Sequence, residues 1–350
     1  MDYMSATREL APVSFREAIS TASPDLYMPS EIPRVPHLSD LHGVPYHRIA
    51  AEVLWPFVNG EIPRSELEDM TKRAYTFKAP IIQIDEGTYA MLLGEGPTGA
   101  FKDFGARMLA EFIRYFSDGK DKIVLTATSG DTGGAVVSAF GGNGLKNVVL
   151  FNYRVATDVQ RRQMTTKGAI AIGTENDFND LYTLVKTAEN DPDVRSRLIS
   201  ANSRNIGRLL PQVPYYLYGY SATGGAKEII FAIPFGNGGN FVSAEIARRM
   251  GMRAPWLIAA TNANDVFARY INTGQHEPRE TVHTLSSAMD VSNPGNTPRF
   301  VYLHSGRMDG NNHILVQPDM KTIRSSVFAT SVNDEQTAEM MREMHRRGVL

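Results

Sequence analysis

At 350 residues, 42% apolar and 21% charged, the chain has material for a sizeable core, most naturally split between two domains and a smaller appendage. Its net charge of −2 gives no overall electrostatic reason to bind nucleic acid or an anionic membrane, and its lack of cysteine excludes disulfides, thiolate zinc sites and cysteine nucleophiles. No stretch approaches the roughly 20 apolar residues of a membrane span, and residues 1–18 carry no apolar leader, so a cytoplasmic protein is expected.

The first part of the chain is loop-rich, punctuated by Pro12, Pro24, Pro29, Pro33, Pro36 and Pro45. Only Val13–Thr21 and Ser65–Tyr75 read as helices there, with Ser65 as N-cap and Glu68 three residues on, a capping-box pattern. From about Tyr89 short apolar runs alternate with amphipathic stretches. Tyr89–Leu93, Ile123–Ala127, Val148–Phe151, Ala169–Ile172, Ile229–Pro234 and Trp256–Ala260 read as buried strands. Phe104–Phe116 places Phe104, Met108, Leu109, Phe112, Ile113 and Phe116 at helical spacing. Thr132–Phe140, Asp177–Glu189, Ile206–Tyr218, Asn240–Met250 and Asn264–Thr273 are further helices. Such alternation argues for parallel sheets covered by helices. Asp334–Arg347 reads as a last helix with Gly348 at its C′ position. Val349 and Leu350 then read either as the start of a cut strand or as an apolar tail.

Four segments carry the pattern of a site. In Gly94–Gly105 a glycine- and proline-rich loop delivers Lys102 to the start of an apolar-faced helix. A helix start favours acids over cations, which favours the free amine that attacks aldehydes. The bland reading is a solvated lysine beside Asp103. In Thr126–Gly134, small hydroxyl residues and glycines follow a strand and open a helix, an arrangement suited to a carboxylate or phosphate. The bland reading is a tight turn capped by Asp131 or Thr132. Gly236–Asn240 (Gly-Asn-Gly-Gly-Asn) lies between another strand and helix, where three glycines let backbone wrap closely round a phosphate. It does not satisfy the dinucleotide pattern Gly-x-Gly-x-x-Gly. In Ala201–Gln212, Asn202, Ser203, Asn205, Arg208 and Gln212 form a polar cluster at a helix start, serving either a phosphate or helix capping. The eight histidines are scattered; His37, His42 and His47 lack ligand spacing, so no metal is expected.

Taken together, these residues resemble the threonine synthase family of pyridoxal-phosphate (PLP) enzymes. Glu95–Gly105 (Glu-Gly-Pro-Thr-Gly-Ala-Phe-Lys-Asp-Phe-Gly) is similar to the family's PLP-lysine segment, and Ser129–Gly133 to its Ser-Gly-Asp-Thr-Gly loop. Asn202–Gln212, Thr261–Asp265, Thr284–Val291 and the start, Ala11–Phe15 through Tyr27–Pro29, follow in family order. The resemblance implies an α/β fold of PLP fold type II, with two α/β domains, parallel-rich sheets and an N-terminal extension. It places the extension at 1–88, a large PLP-binding domain at 89–125 and 215–350, and a small domain at 126–214.

The implied reaction converts O-phospho-L-homoserine and water to L-threonine and phosphate, by γ-elimination and β-addition. The resemblance implies that Lys102 carries PLP through its amine and that Gly236, Asn237, Gly238, Gly239 and Asn240 hold the PLP phosphate. Ser129, Gly130, Asp131, Thr132 and Gly133 would receive the substrate carboxylate, with Asn205 and Arg208 as polar substrate contacts. The implied partner is that small-molecule substrate, with no nucleic acid and no membrane, for a monomer or homodimer. Alternative readings are another fold-type II lyase, such as a serine or threonine dehydratase, and a non-catalytic PLP-binding relative. Two departures stand out. The family loop reads Pro-Ser-Gly-Asn-Phe-Gly-Asn, whereas Phe235 here replaces the serine and Gly238 the phenylalanine. Family members also continue past residue 350, in keeping with Val349-Leu350 as a cut strand.

Overall fold

The structure is a computed structural model that describes residues 1–20, 25–117, 122–142, 144–176, 178–223 and 228–349. Thr21, Asp177 and Leu350, each at the edge of an expected element, lie outside the described residues.

Two parallel sheets organise the fold. Ile123–Thr128 is central in the first, between Lys146–Asn152 and Leu198–Ser200, with Ile170–Thr174 at the edge beyond Lys146–Asn152. The second runs Val327–Ser331, Leu257–Thr261, Phe231–Pro234, all parallel. Parallel strands need crossover connections, and the helices Asp131–Phe140, Phe178–Asn190 and Gly239–Arg249 supply them. Ile123–Thr128 pairs wholly within the four-stranded sheet, so a domain division at residue 125 would cut through a strand.

Helix Lys102–Phe116 buries Phe104, Met108, Leu109, Phe112 and Ile113, the face its spacing predicts. These residues join a core that also takes in Phe15, Ile49, Phe57, Val124, Tyr215, Phe241 and Leu257, so the N-terminal part of the chain, the lysine helix and strands of both parallel sheets share one interior. Burial at this density is what fixes the start of the lysine helix.

Three local expectations are corrected. Tyr46–Val58 is a 13-residue helix with eight buried side chains, hidden in the sequence by Pro45 at its N-cap and Pro56 near its end. Proline is tolerated at both places because the first-turn N–H has no helical partner and the last turn has little helix left to break. Ser65 is not an N-cap: Pro63 occupies that position with φ −60°, and no side chain caps the helix Arg64–Ala74. Thr88–Met91 forms an exposed antiparallel hairpin with Ile81–Asp85, rather than a buried strand, and Tyr89 is 56% exposed.

Candidate active site

Lys102 opens its helix, and its ammonium pairs with the carboxylate of Asp131; the two side chains are 17% and 15% exposed. The Nζ also lies 4.1 Å from the ring centroid of Phe101, in cation–π range. The loop before it is shaped by Asp103. That buried carboxylate accepts from the N–H of Thr98 at 2.9 Å and from its hydroxyl at 3.0 Å. Burial pushes the Asp103 carboxyl up from the usual range, and the Thr98 bonds oppose it. A Cβ at Gly96 would stand 2.4 Å from the Asp103 carboxylate, so only glycine lets the loop fold over it.

Asp131 stands in the turn between Ile123–Thr128 and helix Asp131–Phe140. The Thr128 hydroxyl accepts from the N–H of Gly130 at 2.9 Å and of Gly133 at 3.1 Å, while Asp131 accepts from the N–H of Thr132 at 2.7 Å. Three N–H groups that a substrate carboxylate was expected to use are thus spoken for. Gln160 and Gln163, from the neighbouring helix Asp158–Met164, lie against Gly130 and Gly134. Gln163 also donates to the Thr98 carbonyl at 3.2 Å, so this helix spans both loops that flank Lys102.

The Gly236–Asn240 loop differs. Its following helix, Gly239–Arg249, makes its first i→i−4 bond from Val242 to Gly238 at 3.0 Å, so the N–H groups of Gly239 and Asn240 precede the helical ladder. The loop is tethered through Asn237, which donates to Ser203 Oγ at 2.5 Å and accepts from the N–H of Gly295 at 2.5 Å. Asn296 donates to the Asn237 carbonyl at 3.0 Å and to Ser203 Oγ at 3.2 Å. Asn240 accepts from the hydroxyls of Tyr215 and Tyr216. Tyr215 in turn packs on Phe104 with centroids 5.5 Å apart, which joins the glycine loop to the lysine helix.

The segment 201–212 ties these parts together. Asn202 exchanges bonds of 3.0 and 2.7 Å with the backbone of Ala127, fixing the end of the central strand. Arg208 is 3% exposed, donates to the Ala201 carbonyl and faces Asp131 and Asp103. Burial pulls its guanidinium down to about 10, against the pull of the two carboxylates, so it keeps its charge at neutral pH. Its Nε is buried without a partner. Asn205 receives a structural role. Its Oδ1 caps the N–H of Gly207 at 2.9 Å, and its Nδ2 donates to the carbonyls of Ile19 and Ser200 at 3.0 and 2.9 Å. Both of its amide hydrogens and one lone pair of its oxygen are thus used inside the fold.

The sequence signals missed Tyr215, Tyr216 and Asn296. Ser203 stood in a recognised cluster, but its partners are remote in the chain. Segments 261–265 and 284–291 come together as a strap, with Asn262 donating to Asp290 at 2.8 Å and to Thr284 Oγ1 at 2.9 Å. The strap backs Gly236, where a Cβ would be 3.1 Å from Met289 Cα.

An amine at a helix start, a second helix start with N–H groups ahead of its ladder, and a glycine cradle crowded against a Cβ at Gly236 and Gly238 together fit PLP, whose aldehyde and phosphate need those two groups. The family comparisons agree. Residues 76–350 match the family described as pyridoxal-phosphate dependent enzyme, and residues 2–75 match threonine synthase N terminus. The chain is 40% identical over 284 residues to threonine synthase of Haemophilus influenzae, a match covering 78% of this chain and 66% of that one. It is 32% identical to threonine synthase of Escherichia coli, covering 96% of this chain and 78% of that one. PLP-bound threonine synthase from Brucella melitensis superposes with a TM-score of 0.87 at 33% identity, covering 97% of this chain and 80% of that one. Fold and site define a pyridoxal-phosphate-dependent enzyme of fold type II. Within that class, the chain belongs to the threonine synthase family.

Among the described residues no group of three or more histidine, aspartate or glutamate side chains is placed to hold a metal ion, and no helix is long and apolar enough to cross a membrane.

Proposed function

We propose that this chain converts O-phospho-L-homoserine and water to L-threonine and phosphate in the cytoplasm, with Lys102 as its catalytic residue. The observation that carries the proposal is the placement of the Lys102 amine, at a helix start and paired with Asp131 of one glycine-rich turn, on a helix whose Phe104 packs on Tyr215, which donates to Asn240 of the other. Lys102 would carry the cofactor through its amine, and the N–H groups of Gly239 and Asn240, with Gly236–Gly238, would hold the phosphate. When bound, PLP supplies an electron sink for negative charge at the substrate Cα and Cβ.

The remaining work falls to side chains. Once free, the Lys102 amine moves protons at Cα and Cβ, and Asp131 steadies its charged form. The substrate carboxylate is taken by the Ser129 hydroxyl, since the N–H groups of Gly130, Thr132 and Gly133 already bond to Thr128 and Asp131. Asp131, being negative, does not itself receive that carboxylate. The buried charge of Arg208 offsets the nearby carboxylates and gives the site a net balance that an anionic substrate can enter. Phosphate leaves from Cγ and water adds at Cβ.

The test is the release of phosphate and threonine from O-phosphohomoserine by the PLP-loaded chain, beside Lys102→Ala. Equal amounts of both products, lost in the variant, support the proposal. Keto acid and ammonia from serine or threonine, without phosphate release, would favour the dehydratase reading. Lysine-bound cofactor with neither activity would favour the non-catalytic one.

A further inference from the structure

We infer that Phe235 is a positioning residue for the glycine loop, its ring filling the space that any side chain at position 238 would need. The inference rests on the reading of Gly236–Asn240 as the phosphate cradle, and deepens it.

Phe235 is 2% exposed and sits at the end of the strand Phe231–Pro234, its N–H bonded to the Ala260 carbonyl at 2.8 Å. Its ring stacks on Phe267 at 3.8 Å with an interplanar angle of 11°, and meets Phe241 edge-on at 5.6 Å. Phe241 and Phe267 both pack on Phe300, at 5.8 and 5.3 Å, so Phe235 is held by a cluster of three other rings and cannot retreat. Gly238, three residues on, has φ +77°, and a Cβ there would stand 2.8 Å from Phe235 Cζ and 3.4 Å from both Cε atoms. A side chain at 238 is therefore opposed twice, by the left-handed backbone and by an immovable ring.

The two departures from the family segment are consequently one change. With Phe235 in place, only glycine fits at 238, and the loop offers its ligand backbone N–H groups in place of a hydroxyl. The aromatic cluster fixes the loop from behind, while Asn237 holds its other side through Ser203 and Gly295.

The test is a double-mutant cycle of Gly238→Ala and Phe235→Ala. It is read twice: by the thermal midpoint of the protein without cofactor, and by PLP affinity from absorption titration. Gly238→Ala alone is expected to weaken PLP binding by about tenfold or more and to lower the midpoint. In the Phe235→Ala background the same change is expected to cost only about threefold, the part due to backbone strain. Equal costs in both backgrounds, by either readout, would overturn the inference. Where Phe235→Ala does not fold, Phe235→Leu replaces it, keeping apolar volume while removing the ring atoms that face Gly238. The midpoint cycle needs no cofactor. If no variant nor the parent binds PLP, the phosphate-cradle reading fails while the coupling of 235 and 238 is still decided.

Discussion

The turns at Ser129–Gly133 and Gly236–Asn240 both end a parallel strand, both open a helix, and both are rich in glycine. Yet they are wired differently. In the first, Thr128 and Asp131 take up the N–H groups of Gly130, Thr132 and Gly133, and the Asp131 carboxylate turns to Lys102. In the second, side chains bind the loop's flanks, through Asn237 and Asn240, and leave the first N–H groups of the helix ahead of its ladder. A glycine-rich strand-to-helix turn is therefore a scaffold that neighbouring acceptors can either consume or leave for a ligand. Here one turn is tied to the lysine, and the other keeps the N–H groups that the proposed function assigns to an anion.

Several substitutions would break or sharpen that contrast. The largest effect is expected from Lys102→Ala, which removes the group both turns serve: phosphate release from O-phosphohomoserine should fall by about a thousandfold or more. Next comes Asn237→Ala, which cuts the glycine loop from Ser203 and Gly295. PLP affinity measured by titration is expected to drop about ten- to a hundredfold, from roughly 1–3 kcal/mol of lost tethering. Ser129→Ala, in the other turn, is expected to leave that affinity within about threefold and to raise KM instead. If both weakened PLP equally, the division of labour would be wrong.

Asp131→Asn is expected to act more mildly on stability. It leaves the Lys102 ammonium without its carboxylate, costing the cofactor-free protein about 1–3 kcal/mol by denaturant titration. With PLP bound the loss should shrink, because Lys102 is then engaged. The last effect concerns acid and reads on stability alone. His304 packs on Phe300, at the back of the ring cluster behind the glycine loop, and burial pulls its imidazole from 6.5 to about 4. The unfolded chain therefore binds a proton first. Stability from this site is full above pH 6.5 and falls as pH drops toward 4, at about 1.4 kcal/mol per unit. His304→Asn is expected to flatten that part of the thermal-midpoint profile, with the Ser129 turn unaffected.

Both turns could be located in the sequence because strand period, glycines and helix faces are local signals. The central strand at Ile123–Thr128 and the apolar stripe of the lysine helix emerged for the same reason. The wiring was not local. Asn237 reaches Ser203 across 34 residues, and Asn296 reaches it across 93, so no spacing announced the tether. Asn205 looked like a ligand contact because amides serve ligands and helix caps alike; only its three internal bonds assign it to the fold. Tyr46–Val58 was hidden by Pro45 and Pro56, which weigh against a helix in any local reading. Phe235 read as a lost hydroxyl, since a ring's place behind a loop depends on Phe267, contributed by a later helix.

The central claim, that Lys102 is the residue to which both turns are arranged, is best tested by chemistry on the amine itself. The PLP-loaded protein would be reduced with borohydride, digested, and its peptides weighed. The cofactor's mass is expected on the peptide that contains Lys102, and nowhere in Lys102→Ala. A tag on another lysine, or none on a protein that has bound PLP, would contradict the account.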